Sequence, residues 1–305
     1  MTRLVLHVGY GKTATTTLQT HLFANHSQLR YLGRPYPDPL WEAAMRRLIF
    51  EDSALYDPAP LRAMVEEERL RGSGVVLLSE EILLSPRARD TGLIALRLRD
   101  AFEPCEIILS IRSQPSIIAS YYAMHGRRLA LIPGPLAGRS VTFADWFAFQ
   151  QSHLPTSYLS LIHYAEVVGL FARTFGRDHL YIALFEEFVQ DTRGFIDKLC
   201  GFLGIDPGEG MRLLRGQHEK AALSDGQIRM QLLRSRFLPG LSLTRIIPFG
   251  RPLYDAMWRA LSRSGRYTVE FSPEQNAFIQ KLYAEGNRRL AVDFSLPLDH
   301  YGYPF

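Results

Sequence analysis

Cysteine is scarce: the chain has 305 residues and two cysteines, Cys105 and Cys200. Two cysteines build neither a disulfide framework nor a cysteine-rich metal cluster, and the apolar neighbours of both predict buried thiols in a reducing compartment. Long apolar runs are missing too. None approaches the ~18 residues of a membrane span. The first strand is expected from Arg3, which leaves no space before it for the charged and apolar regions of a secretory leader. These features favour a cytoplasmic protein. The nine histidines show no metal-ligand spacing, so no metal is expected. There is no internal repeat and no low-complexity linker. An excess of one charge is also lacking: 35 basic against 31 acidic residues leave a net +4. Such a balance suits a small polyanion and does not require nucleic acid. What is present is a globular mixture, 47% hydrophobic and 22% charged, long enough for a large core.

Apolar runs alternate with helical patterns. The run Leu4–Val8 reads as a buried strand, and 75–79, 106–111 and 180–184 read as three more. Helices are expected over 14–28, 40–50, 58–71, 90–102, from Pro115 onward, over 142–152 and 158–175, and from the fourth strand to about 203. This alternation predicts an α/β fold: a central parallel sheet flanked by helices on both faces, with a helical C-terminal third, in one domain over 1–305. Ligands of such sheets bind beyond the carboxyl ends of the strands, where Gly9–Lys12, Ser79–Glu81 and Arg112 fall.

The stretch Leu4-Val5-Leu6-His7-Val8-Gly9-Tyr10-Gly11-Lys12-Thr13-Ala14-Thr15-Thr16-Thr17 is a strand, a glycine-containing turn and a helix start. Gly9 and Gly11 permit backbone angles that other residues avoid. Gly11, Lys12, Thr13, Ala14, Thr15, Thr16 and Thr17 gather N–H groups, hydroxyls and one full charge at a helix N-terminus. That is a cradle for a phosphate or sulfate. It is not a Walker A loop: the first glycine of G-x-x-x-x-G-K-[ST] would fall on Leu6. No Walker B-like acid follows either.

The cradle resembles the 5′-phosphosulfate loop of sulfotransferases that use PAPS (3′-phosphoadenosine 5′-phosphosulfate), bacterial and carbohydrate branches. The match lies at His7, Gly9, Lys12, Thr13, Thr15, Thr16, Leu18 and Gln19, with Ala14 where that family has glycine. A second stretch, Ile111-Arg112-Ser113-Gln114-Pro115 and on to Ser120, resembles the family's 3′-phosphate site, where an arginine fork and a later hydroxyl share one phosphate. Its proline is displaced by one position, to Pro115. A third, Ser79-Glu80-Glu81-Ile82-Leu83, resembles the S-x-E-x-[LF] of bacterial members. Alternation along the strand puts Ser79 and Glu81 on one face and Glu80 on the other. Glu81 is therefore the expected base, with Glu80 and His125 as alternates. The opposing reading is that a glutamate here only pairs with Arg87 or Arg89.

The resemblance implies a P-loop-like, PAPS-dependent enzyme yielding PAP (3′-phosphoadenosine 5′-phosphate). Its acceptor would be an alcohol on a carbohydrate, lipid or small metabolite. Lys12 and Glu81 would be catalytic, and Gly11–Thr17, Arg112 and Ser120 would hold the nucleotide, without a metal. A bacterial source is implied as well. Phe185 falls where the family has a tyrosine near adenine, and Arg215 and Lys220 fall where a loop closes over the nucleotide. The alternatives from the residues themselves are an ATP-dependent kinase-like phosphotransferase and a non-catalytic nucleotide-binding protein. The basic, aromatic stretch 236–266 is expected to be an amphipathic helix on its own core; an acceptor lid or a membrane-surface helix is the other reading.

Overall fold

The apolar runs form the strands of one sheet. The computed structural model describes residues 2–72, 74–86, 88, 90–126, 141–215, 224–237, 250–263, 265 and 267–305. In it β1 (Thr2–His7), β2 (Leu29–Tyr31), β3 (Gly74–Ser79), β4 (Glu106–Ile111) and β5 (Leu180–Leu184) lie in the order β2-β3-β1-β4-β5. Every neighbouring pair is parallel. His7 stands opposite Ser79, and Ile111 opposite Leu184. β1 is central, and Leu4, Val5 and Leu6 are buried there, as a strand covered on both faces requires. β2 is the strand that sequence reading misses, because three residues are too few to show a period.

The helix expected over 14–28 begins as α1 (Thr15–Thr17), continues as a π-helical stretch over Leu18–Phe23 and stops before β2. α2 (Pro39–Phe50), α3 (Ala59–Leu70) and α4 (Thr91–Phe102) follow. The Asp38 carboxylate accepts the Leu40 N–H at 2.8 Å and Asp90 accepts Leu93 N–H at 2.9 Å, which closes the starts of α2 and α4. α5 (Gln114–Tyr121) and α6 (Phe143–Ser152) come next. The single helix expected over 158–175 is two, α7 (Tyr158–Leu161) and α8 (Tyr164–Phe175). The rest are α9 (Phe185–Gln190), α10 (Thr192–Leu203), α11 (Pro207–Leu214), α12 (Asp225–Phe237), α13 (Gly250–Leu261) and α14 (Pro273–Phe294). This is the expected α/β architecture with a helical C-terminal third.

The described residues pack as two compact units, each discontinuous in sequence. The first comprises 1–113, 161–219 and 282–305 and contains the whole sheet. Its core joins Val5, Leu22, Phe23, Leu77, Ile108 and Phe195. The second comprises 114–160 and 220–281. Its core is aromatic: Phe143 meets Phe271 edge-on at 5.2 Å between ring centres, beside buried Trp146 and Phe147. Within that unit Gln227 donates to the Trp258 carbonyl at 3.1 Å, tying α12 to α13. α13 belongs to the 236–266 stretch, of which 238–249, 264 and 266 lie outside the described residues. Among the described residues no helix is long and apolar enough to cross a membrane.

Candidate functional site

The glycine-containing loop is anchored before it turns. Past the end of β1, the Val8 and Tyr10 N–H groups donate to the Ile108 and Ser110 carbonyls at 2.9 and 3.1 Å. On the other side Glu80 N–H donates to the His7 carbonyl at 3.1 Å. Gly9 is required by crowding: a Cβ there would sit 2.8 Å from His7 Nε2 and 2.9 Å from Thr15 Cγ2. The turn then takes left-handed angles at Lys12 (φ 78°) and Ala14 (φ 61°). Left-handed residues on either side of Thr13 are the backbone pattern from which anion-binding turns are built. Thr13 stabilises it by donating its hydroxyl to the Tyr10 carbonyl at 2.6 Å. Ala14 precedes α1 without a side-chain cap, so no side chain of the cap residue competes for the first N–H groups. Of the other hydroxyls, Thr16 is exposed and Thr17 half-buried.

Below the loop lies a polar core. His7 Nδ1 is 2.7 Å from Ser79 Oγ and His7 Nε2 is 2.7 Å from Ser110 Oγ, so one ring links β3, β1 and β4. Burial pushes the His7 pKa down to about 3 and keeps the ring neutral. Gln19 donates to Ser79 Oγ at 2.9 Å. Four residues earlier on the same helix face, buried Thr15 donates to Glu81 Oε2 at 2.6 Å. Ser79 and Glu81 thus both turn toward the helix that follows the loop, although β3 ends at Ser79 and Glu81 starts a 3₁₀ turn, Glu81–Leu84. A Cβ on Gly11 would have Glu81 Oε2 as its nearest neighbour, at 4.0 Å, so the glycine presents open space to that carboxylate. Glu80 faces elsewhere. It is buried, accepts from Tyr36 Oη at 2.7 Å and from Ile82 N–H at 3.0 Å, and pairs with Arg34 at 3.4 Å. It is a supporting residue of the β2–α2 loop.

On the other flank Arg112 directly follows β4 and reaches back to the loop, donating from Nη1 to the Lys12 carbonyl at 3.0 Å. Its guanidinium carbon lies 4.1 Å from the centre of the Phe185 ring, a cation–π contact. Phe185 therefore serves the arginine. The first unit brings together Lys12, Thr13, Thr15, Glu81 and Arg112; Ser120 is half-buried on α5, in the second unit. Sequence reading missed three contributors: Tyr164, Glu186 and Tyr303. Tyr164 Oη donates to the Arg112 carbonyl at 2.7 Å, and Glu186 accepts the Ser113 N–H at 3.0 Å. Only Glu186 left a signal, an acid beside the flagged Phe185. Arg215 follows α11 and is exposed. Arg87, Arg89, Lys220 and the His125 side chain lie outside the description. Among the described residues no three His, Cys, Asp or Glu side chains gather as metal ligands would.

No protein-family model and no curated protein matches the chain. Solved structures do. A crystal structure of a sulfotransferase from Alicyclobacillus acidocaldarius aligns with a TM-score of 0.54 and 17% identity over 97% of each chain. The chain has a sulfotransferase fold. Mouse sulfotransferase SULT7A1, solved in complex with PAP, aligns at TM-score 0.49 and 14% identity over 98% of this chain and 87% of that one. The sulfotransferase domain of the Synechococcus PCC 7002 olefin synthase aligns at 0.42 and 15%, over 98% and 96%. At these identities the sulfotransferase likeness is one of fold, and the chemistry rests on the chain's own residues.

Proposed function

We propose that the chain is a sulfotransferase that moves the sulfuryl group of PAPS to a hydroxyl of a carbohydrate, lipid or small-metabolite acceptor. The observation that carries this reading is the Thr15–Glu81 hydrogen bond, which ties a carboxylate to the start of the helix that follows an anion-binding turn. An anion cradle with a base against it suits group transfer to an alcohol; a cradle alone suits binding. The residues fit the nucleotide. The turn over Lys12–Ala14 offers N–H groups and the Lys12 charge to the phosphosulfate, and Arg112 offers a fork to the 3′-phosphate.

PAPS supplies the activated sulfuryl group when bound. Lys12 and the loop N–H groups would hold the phosphosulfate and offset negative charge on the leaving phosphate. Glu81 takes the acceptor's proton, and Thr15, by donating to Oε2, sets the direction in which that carboxylate faces. The two cysteines carry no disulfide, which fits a reducing cytoplasm.

Calorimetric titration with PAP and with ADP, each with and without magnesium, tests the reading. PAP is expected to bind more tightly and without magnesium. Equal affinities, or a magnesium requirement, would transfer the reading to an ATP-dependent phosphotransferase.

A further inference from the structure

The peptide that follows β4 is held by side chains from three distant places. Its carbonyl, that of Arg112, accepts from Tyr164 Oη at 2.7 Å, and its N–H, that of Ser113, donates to Glu186 Oε1 at 3.0 Å. Glu186 Oε2 in turn accepts from Tyr303 Oη at 3.2 Å. Both polar groups of one turn peptide are therefore satisfied by residues of α8 and α9, and the C-terminal segment stands behind the second.

α9 contributes twice. Phe185 lies under the Arg112 guanidinium, and the next residue, Glu186, holds the peptide attached to Arg112. Burial raises the Glu186 pKa, opposed by the Ser113 and Tyr303 hydrogen bonds and the Arg112 charge. A carboxylate withdrawn from water costs stability unless its neighbours hold it, and here they are the turn, the arginine and a tyrosine. Tyr303 is itself fixed: it is buried, its N–H donates to the Leu298 carbonyl at 3.2 Å, and Asn287 donates to the Pro304 carbonyl at 2.8 Å.

We propose that Glu186, braced by Tyr303, is a positioning residue for the nucleotide's 3′-phosphate, setting the turn from which Arg112 reaches its ligand. The proposal rests on the PAPS reading above. It makes Tyr303 of the C-terminal segment a support of the nucleotide site, acting through Glu186.

The test is titration of wild type, Glu186→Ala, Glu186→Gln and Tyr303→Phe with PAP and with ADP, alongside thermal unfolding. ADP lacks the 3′-phosphate and serves as the internal control. Glu186→Ala is expected to weaken PAP about tenfold or more and ADP by less than about twofold, the scale of one lost charge-assisted hydrogen bond. Glu186→Gln keeps an oxygen for the Ser113 N–H and restores most of that loss. Tyr303→Phe removes one hydroxyl and no volume, and is expected to weaken PAP about threefold; it carries the test should the alanine variant not fold. If the variants unfold earlier but keep the wild-type PAP-to-ADP ratio, Glu186 is a structural brace only and the proposal falls. If wild type shows no preference for PAP, the nucleotide reading falls, and this proposal with it.

Discussion

Arg112 Nη1 donates to the Lys12 carbonyl oxygen at 3.0 Å, so the two cations assigned to the nucleotide's two ends are tied to each other before any ligand arrives. Lys12 holds φ at 78°, a conformation that costs a residue with a Cβ about 1–2 kcal/mol. A charge-assisted hydrogen bond to its carbonyl helps to offset that cost. The loop is thus partly built by the residue that follows the neighbouring strand, and preorganisation of this kind reduces what binding must spend on ordering.

Lys12→Ala is expected to lower sulfuryl transfer by roughly 10²–10³-fold, the scale of removing one group that stabilises charge in the transition state. Alanine keeps the Cβ, so the strain at this φ is unchanged and the loss reports the charge. Single-turnover rates with saturating PAPS check it. A loss confined to KM would move Lys12 from catalysis to ground-state binding.

Arg112→Lys keeps a positive charge and loses the fork, the Phe185 contact geometry and the bond to the Lys12 carbonyl. On the proposed reading, in which the fork reads the 3′-phosphate and the carbonyl bond only steadies the loop, PAP affinity is expected to fall about tenfold and ADP affinity by about twofold. Parallel titrations decide. Equal losses for both ligands would make Arg112 a loop-holding residue alone.

Ala14 stands at φ 61° and ψ 16°. Glycine adopts those angles without a Cβ clash, so Ala14→Gly is expected to raise stability by about 1 kcal/mol, less the added freedom of the unfolded chain. Urea unfolding measures it. A loss of stability would mean that the alanine methyl packs well enough to outweigh the strain.

His7 gives a pH prediction. Its folded pKa is depressed to about 3 from 6.5 by burial. Between those values the unfolded chain binds the extra proton, so stability is complete above pH 6.5 and is lost as pH falls toward 3. The slope is up to about 1.4 kcal/mol per pH unit. His7→Gln is expected to remove that part of the acid slope in unfolding midpoints from pH 7 to 4, leaving the carboxylates' contribution. Identical slopes would assign the acid sensitivity to other groups.

The sheet was legible because β1, β3, β4 and β5 are continuous apolar runs, which only a strand covered on both faces tolerates. β2 was not: Leu29-Arg30-Tyr31 has no run, and it becomes a strand by pairing with β3. The loop and its two flanking stretches were legible because each is local, a few residues at a strand end. The Glu81 direction was legible for the same reason, since Gln19 and Thr15 on one helix face meet Ser79 and Glu81 two apart. Tyr164 and Tyr303 were not, because they reach the Arg112 turn, directly or through Glu186, across long stretches of chain and carry no local pattern; Glu186 showed only as an acid beside Phe185, with nothing local to tie it to the turn. Strand alternation favoured Glu81 over Glu80 in sequence and kept Glu80 as an alternate base. Packing separates them, since Tyr36 and Arg34 bury one and leave the other beside the loop.

That separation makes the base testable. Glu81→Gln keeps the shape and keeps an acceptor for the Thr15 hydroxyl, so folding and PAP affinity are expected to change little. It removes the proton acceptor, and turnover on an accepting alcohol is expected to fall by ~10²–10⁴-fold, the usual share of general base catalysis. Glu80→Gln keeps one oxygen, for the Ile82 N–H, and puts an amide NH2 where Oε2 accepts from Tyr36 Oη and faces Arg34, so the charge opposite Arg34 is lost. Its effect is expected in the unfolding midpoint, about 1–2 kcal/mol for a buried charged partner, with turnover within about threefold of wild type. Rates and unfolding for both variants, each with PAP affinity, resolve the alternatives. A damaging Glu80→Gln with a harmless Glu81→Gln would exchange their roles. If neither affects turnover while PAP still binds, the proton goes to another group, with His125 next to test. If no alcohol is ever sulfated while PAP binds tightly, the cradle serves a binding protein and the Thr15–Glu81 bond is a brace.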